Sequence, residues 1–332
     1  MPAIEKVLRG KPVPGWYYRL SQYFREQFGE KVYKVPLDAN LTCPNRDGTL
    51  SKMGCIYCYN PGFSPQARRR EQEGRGTTIL DQVRIRQLKM EKAEAAGFQP
   101  KKKYLAYFQS YSNTYGDISY LQRLYEEALE APGVIGLSVA TRPDCLSPKI
   151  LDLLAGYAEN YHIWLELGLQ SSHDETLTRI NRGHGYACFE EAVLRCLGRG
   201  LHLCAHLING LPGEGTQEML TTIKRLNGLP LQGVKFHQLQ VIKGTPLYSL
   251  YEQGTIRVFG VEEYLDILCR QLETLRSDIV VHRLLSDVTD LDLLVAPTWR
   301  IYSTNFASKV QKELQNRHSY QGKHVAYSKP EN

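Results

Sequence analysis

The 332-residue chain is 42% hydrophobic and 23% charged, the balance of a globular protein with a sizeable core rather than of a disordered or fibrous one. No apolar stretch approaches the length of a membrane span, and the opening Met1-Pro2-Ala3-Ile4-Glu5-Lys6 lacks the apolar core of a secretory signal, so the expected setting is cytoplasmic with no membrane partner. Lys and Arg outnumber Asp and Glu by 41 to 35, and the net charge of +6 leans toward polyanionic partners without requiring one.

From the N-terminus, Trp16, Leu20, Phe24 and Phe28 recur every fourth residue, the stripe of an amphipathic helix laid against the bottom or side of a core. Strand-like runs follow at 32–37, 104–109, 134–141, 162–170, 203–209 and 234–241. Between them lie helix patterns with start signals. Thr78 precedes Ile79, Val83 and Met90, Ser147-Pro148 precedes Leu151, Leu154 and Ala158, and Ser172-His173-Asp174-Glu175 has the form of a capping box. Gly97, Gly133 and Gly200 punctuate the ends of helix patterns. Beyond the sixth run, 261–275 predicts a helix, 279–281 a short strand, and Phe306, Val310 and Leu314 a last helix, ahead of a polar, frayed stretch at 319–332.

Strand then helix, repeated, implies parallel strands joined by right-handed crossovers. Polar residues cluster just past the ends of many strands, which suits a barrel mouth better than a single crevice. The expected architecture is α/β, a partial (β/α)6 TIM-like barrel of parallel strands over 32–250. A helical extension over 1–31 precedes it, a C-terminal helical extension over 251–318 packs on it, and 319–332 forms a flexible tail.

Cys43, Cys55 and Cys58 share one loop directly after the first strand-like run. Three soft sulfur ligands suit an iron-sulfur cluster, and a four-iron cluster on three cysteines leaves one iron open for chemistry. A structural zinc site is the competing reading, but it wants a fourth ligand and the first histidine in the chain is His162. Cys145, Cys188, Cys196, Cys204 and Cys269 lack cluster spacing and read as packing residues. The basic runs Arg68-Arg69-Arg70 with Arg75, and Lys101-Lys102-Lys103, are candidate phosphate contacts or solvated edges.

The cysteine loop with an aromatic, Tyr57, between its last two cysteines resembles the radical S-adenosylmethionine superfamily. Within it, the stretches Asp38-Ala39-Asn40-Leu41-Thr42-Cys43-Pro44-Asn45-Arg46-Asp47-Gly48, Gln109-Ser110-Tyr111-Ser112-Asn113, Thr141-Arg142-Pro143-Asp144, Glu166-Leu167-Gly168-Leu169-Gln170 and Gly210-Leu211-Pro212-Gly213-Glu214 are similar to the YtqA/YhcC-type subgroup, related to the elongator catalytic subunit. Eleven residues separate the first two cysteines where the superfamily commonly has three, a longer loop of the kind found in the elongator-like groups.

The resemblance implies an enzyme with a 4Fe-4S cluster on Cys43, Cys55 and Cys58, whose open iron binds S-adenosylmethionine. An electron from a reductant such as flavodoxin or ferredoxin then yields a 5'-deoxyadenosyl radical that abstracts a substrate hydrogen. It further implies ribose contact by Glu166 and pairing of Arg182 with the methionine carboxylate. Tyr57, Gln109, Asn113, Gln170, Leu211 and Gly213 join them as candidate cofactor contacts. Asn113 reads equally as a residue satisfying a turn. His237, His206 and Cys145 are weak candidates for quenching a product radical. The implied substrate is transfer RNA, with the reaction at a carboxymethylaminomethyl-type group on the wobble uridine and Tyr107, Tyr111 and Tyr115 available to stack a flipped base. The alternatives are a radical enzyme acting on a small molecule or peptide, and a noncatalytic nucleic-acid-binding module with a structural metal.

Overall fold

A computed structural model describes residues 15–64, 67–68, 77–94, 102–287 and 290–325. Six strands form where apolar runs dictate: β1 (Val32–Leu37), β2 (Lys103–Phe108), β3 (Val134–Thr141), β4 (His162–Gln170), β5 (His202–Asn209) and β6 (Gly233–Gln238). The sixth expected run, 234–241, breaks after Gln238. Val241–Ile242 forms a separate strand, β7, and the backbone N–H of Leu239 turns back to donate to Asn209 O.

The segment after residue 250, expected to be helical with one short strand, supplies two. β8 (Val280–Arg283) pairs parallel with β6, and β9 (Leu294–Ala296) pairs antiparallel with β7. The main sheet therefore runs β1-β2-β3-β4-β5-β6-β8, every neighbouring pair parallel, and forms a half-barrel with one strand more than the sequence suggested. Such strands are covered on both faces, which is why they read as continuous apolar runs.

Helices fill the crossovers. Ile118–Leu129 starts at Asp117, whose carboxylate accepts from Tyr120 N, and Pro148–Ala158 starts at Ser147, whose hydroxyl accepts from Ile150 N. The expected capping box at Ser172 does not form. His173 is the N-cap of the helix Asp174–Arg179 and makes no side-chain cap, while the Ser172 hydroxyl bonds to Thr222. Asp174 instead accepts from Tyr186 N and secures the start of the next helix, Tyr186–Arg195. Gly133 and Gly200 take left-handed backbone as their helix-end reading requires, and Gly97 lies outside the described residues.

The N-terminal helix Leu20–Phe28 closes the bottom of the half-barrel. Tyr23 and Phe24 pack with Trp164, Leu105 and Val280 at the amino ends of the strands, so the opposite end is left for chemistry. Part of the stretch expected to fray is anchored, because Gln321 is fully buried, donates to Arg276 O and Ile279 O, and accepts from Tyr18 N. No described helix is long and apolar enough to cross a membrane.

Histidines line this closed end. The His162 and His202 rings lie 4.4 Å apart, and His282 meets Trp164 edge-on at 4.3 Å. Burial pulls His162 and His282 down to about 3 and lowers His202. The unfolded chain takes up protons near pH ~6.5 while the folded chain does not, so stability falls as pH drops below that value. Urea unfolding between pH 7 and pH 5, above the carboxylate range, should show a loss approaching ~1.4 kcal/mol per pH unit for each such histidine. A flat profile would contradict the buried neutral rings.

Candidate functional site

The cysteine loop leaves the carboxyl end of β1 and folds on itself. Arg46 N and Asp47 N both donate to Cys43 O, and Leu50 N donates to Pro44 O. Two asparagines clasp the loop to the segment after β4. The Asn45 amide donates to Asn181 O at 2.6 Å, and the Asn181 amide donates to Gly54 O at 2.7 Å. Arg46 Nη1 reaches Cys58 O at 2.8 Å and fixes the far end of the loop. The long spacing between the first two cysteines is thus a folded turn held by hydrogen bonds.

All three cysteines border one cavity at the carboxyl end of the sheet, together with Tyr57, Gln109, Tyr111, Glu166, Gln170, Arg182, His206, His237 and Arg283. Donors face the Cys55 thiol: the guanidinium nitrogen Arg182 Nη1 lies 3.7 Å from Cys55 Sγ, and the neutral amide nitrogen Asn45 Nδ2 lies 3.6 Å from it. Burial alone would raise the Cys55 thiol, yet Arg182 and Arg142 outweigh it and lower its pKa. Cys58 is pushed up to about 12 by burial, then by Cys55. The protein's own charges therefore favour the thiolate at Cys55 and oppose it at Cys58, where the positive charge of a bound metal would be needed to hold the ionised form.

Among the described residues no group of three His, Cys, Asp or Glu side chains is drawn together around a single metal ion. Three thiols spaced around a shared cavity and backed by guanidinium groups fit a multi-iron cluster better than a tetrahedral zinc.

Arg182 is buried through the local fold. Its Nη2 donates to Gly168 O at 2.5 Å, and a Cβ on Gly168 would meet that nitrogen at 2.8 Å, so the glycine makes the close approach possible. Arg142, paired bidentately with Asp144 at 2.8 and 2.7 Å, donates to Arg182 O and holds the segment in place.

Glu166 lies at the floor of the cavity and is fully buried. One oxygen accepts from Lys34 Nζ and from Ser138 Oγ at 2.5 Å; the other accepts from Lys235 Nζ at 2.9 Å and His206 Nε2 at 2.6 Å. Burial would raise its pKa, but Lys235 and Lys34, with His206 and His282, hold it well below the usual carboxylate range. Burial pulls Lys235 down to about 7 against the pull of Glu166, and pulls His206 down to about 4, so the histidine is neutral and donates its Nε2–H. The partner that a carboxylate in so apolar a strand demands is thus supplied from inside the barrel.

The remaining candidate residues lie apart from one another. The Asn113 amide donates to Phe108 O and Ala140 O, so it stabilises the turn after β2 and does not border the cavity. Leu211 and Gly213 lie on a second groove with Arg179 and Thr255. Cys145 lies on a third with Thr114 and Ser147. The Tyr107 hydroxyl accepts from Lys235 at 2.5 Å, Tyr107 and Tyr111 both border the cavity, and half-buried Tyr115 bonds Thr49 and lies on the third groove. Of the basic runs, Arg68 pairs with Asp290 and Lys103 with Glu30, while Arg69, Arg70, Arg75 and Lys101 lie outside the described residues.

Lys34, Ser138, Lys235, Asn45, Asn181 and Arg283 were missed. A signal existed for the two lysines, each a lone charge inside an apolar strand run, Tyr33-Lys34-Val35 and Val234-Lys235-Phe236.

Residues 48–226 match the Radical SAM superfamily, and residues 231–316 match the Radical_SAM C-terminal domain. The first match begins past Cys43, so that residue's place among the thiols rests on the shared cavity. The chain is 38% identical over 307 residues to YtqA of Bacillus subtilis, covering 92% of each chain. It is 36% identical over 274 residues to YhcC of Escherichia coli K12, covering 82% of this chain and 84% of that one. Among solved structures, the archaeal Elp3 of Methanocaldococcus infernus shares the fold with a TM-score of 0.65 at 19% identity, over 87% of this chain and 64% of that chain.

Glu166→Gln leaves buried Lys235 and half-buried Lys34 facing a neutral amide and should cost about 3–5 kcal/mol of stability at pH 7 by urea unfolding. Adding Lys235→Met should recover part of that loss. An unchanged midpoint in the single variant, or no recovery in the double, would contradict the buried network.

Proposed function

This chain belongs to the radical S-adenosylmethionine superfamily and is an enzyme of that class, and from that premise we propose that it remodels a carboxymethylaminomethyl-type group on the wobble uridine of transfer RNA. The observation that carries the radical chemistry is the convergence of Cys43, Cys55 and Cys58 on one cavity at the carboxyl ends of parallel strands. Family membership implies a 4Fe-4S cluster and S-adenosylmethionine, and the three thiols are the residues that would hold the cluster. When bound and reduced by an electron donor such as a flavodoxin or ferredoxin, these groups would supply radical chemistry able to take a hydrogen atom from a substrate.

The chain's own residues have definite tasks in this reading. Arg182 and Arg142 offset the negative charge of the thiolates. Arg182, Gln170, Gln109 and Tyr57 line the space where the cofactor would sit, and Gly168 keeps a side chain out of Arg182's path. Glu166 fixes the floor through Lys34 and Lys235. His206 and His237 border the cavity as neutral rings held so by burial, and would meet a substrate there as hydrogen-bond partners.

Transfer RNA is supported by the subgroup resemblance, the net charge of +6 and Tyr111 at the border of the cavity. One observation favours a second reading, a small molecule or peptide substrate: the described residues of both basic runs include ion pairs within the chain, Arg68 with Asp290 and Lys103 with Glu30. Salt separates the two, since phosphate contacts weaken steeply as salt rises.

The test is anaerobic reconstitution with iron and sulfide, then reduction with S-adenosylmethionine in the presence of transfer RNA carrying the 5-carboxymethylaminomethyl group. 5'-Deoxyadenosine should form, its yield should rise with that RNA and fall with salt, and Cys55→Ala should reduce it to background. Full activity in Cys55→Ala would refute the ligand set. A yield indifferent to RNA would point to the small-molecule reading.

A further inference from the structure

The floor of the cavity holds a cation that neither the thiols nor Glu166 engages. Arg283, at the end of β8, borders the cavity beside His206 and His237. Its Nε is buried with no hydrogen-bond partner among the described residues. Its Nη2 lies 3.0 Å from His237 Nδ1 and 3.1 Å from Nε2, midway between two nitrogens of a ring that carries no charge to offset it.

The one carboxylate deep in the barrel is already held by Lys34, Ser138, Lys235 and His206, and among the described residues Arg283 forms no ion pair. Asp287 reaches the same cavity from an exposed position. Lys34 and Lys235 are taken up by Glu166, so neither lysine shares its carboxylate with the Arg283 guanidinium.

We propose that Arg283, flanked by His237, seats a carboxylate carried by the substrate at the floor of the cavity. A planar fork of donors matches a carboxylate bidentately. The inference deepens the proposed function and rests on its reading of the substrate as bearing a carboxymethylamino arm. Anchoring the acid end of that arm on β8 would fix which carbon faces the thiol rim.

The test is anaerobic titration calorimetry of the reconstituted full chain with 5-carboxymethylaminomethyluridine and with its uncharged carboxamide. Wild-type protein should bind the acid at least about tenfold more tightly than the amide, Arg283→Gln should lose that preference, and Arg283→Lys should keep part of it. Equal affinities in the wild type overturn the proposal whether or not the variants fold. So does a preference that survives in an Arg283→Gln protein with a cooperative thermal transition.

A second arm compares S-adenosylmethionine with its decarboxylated analogue. A preference for the former that vanishes in Arg283→Gln would give the carboxylate to the cofactor and overturn the assignment to substrate. The parent reading fails separately, through absence of RNA-dependent 5'-deoxyadenosine formation by the wild-type protein.

Discussion

A single buried carboxylate ties the half-barrel together. Glu166 on β4 takes hydrogen bonds from Lys34 on β1, Ser138 on β3, His206 on β5 and Lys235 on β6, and Lys235 extends the network to Tyr107 on β2. An isolated ion in such a place would cost several kcal/mol, so each partner is required by the others. Charged residues inside a parallel barrel fix which faces of the strands turn inward, since a slip of one residue would bury Lys34 or Lys235 against the surrounding helices.

This network also sets the chemistry of the cavity above it. With helix Leu20–Phe28 closing one end of the sheet and ionic pairs filling the middle, the open end collects the cysteine loop, Arg182 and Arg142. The clasp between Asn45 and Asn181 links the loop after β1 to the segment after β4, so the thiols are positioned by two distant parts of the chain. Membership of the radical S-adenosylmethionine superfamily accounts for why such a rim stands over such a floor.

What the sequence made legible was local or compositional. β1, β3 and β4 fall at their expected bounds because strands buried on both faces show as unbroken apolar runs between turn signals. The three cysteines were legible because few residue types serve as soft ligands. Partnerships across the barrel were not. Nothing near Glu166 in the chain names Lys34 or Lys235 as its counter-ions, and only the fold brings Ala140 O, 27 residues along the chain, to the Asn113 amide. The run 234–241 reads as one strand, but Val241 at its end pairs antiparallel with Ala296 of β9, a decision made by tertiary contact. β8 was visible as a short apolar run, and only its neighbour β6 makes it part of the barrel.

The central claim is that Cys43, Cys55 and Cys58 hold an iron cluster with one iron left open to the cofactor. Mössbauer spectroscopy of the anaerobically reconstituted protein, recorded before and after addition of S-adenosylmethionine, tests it most directly. The account predicts one iron site that changes its isomer shift on addition while the others stay as they were. Irons that all respond alike, or a protein that takes up zinc and no iron, would contradict it.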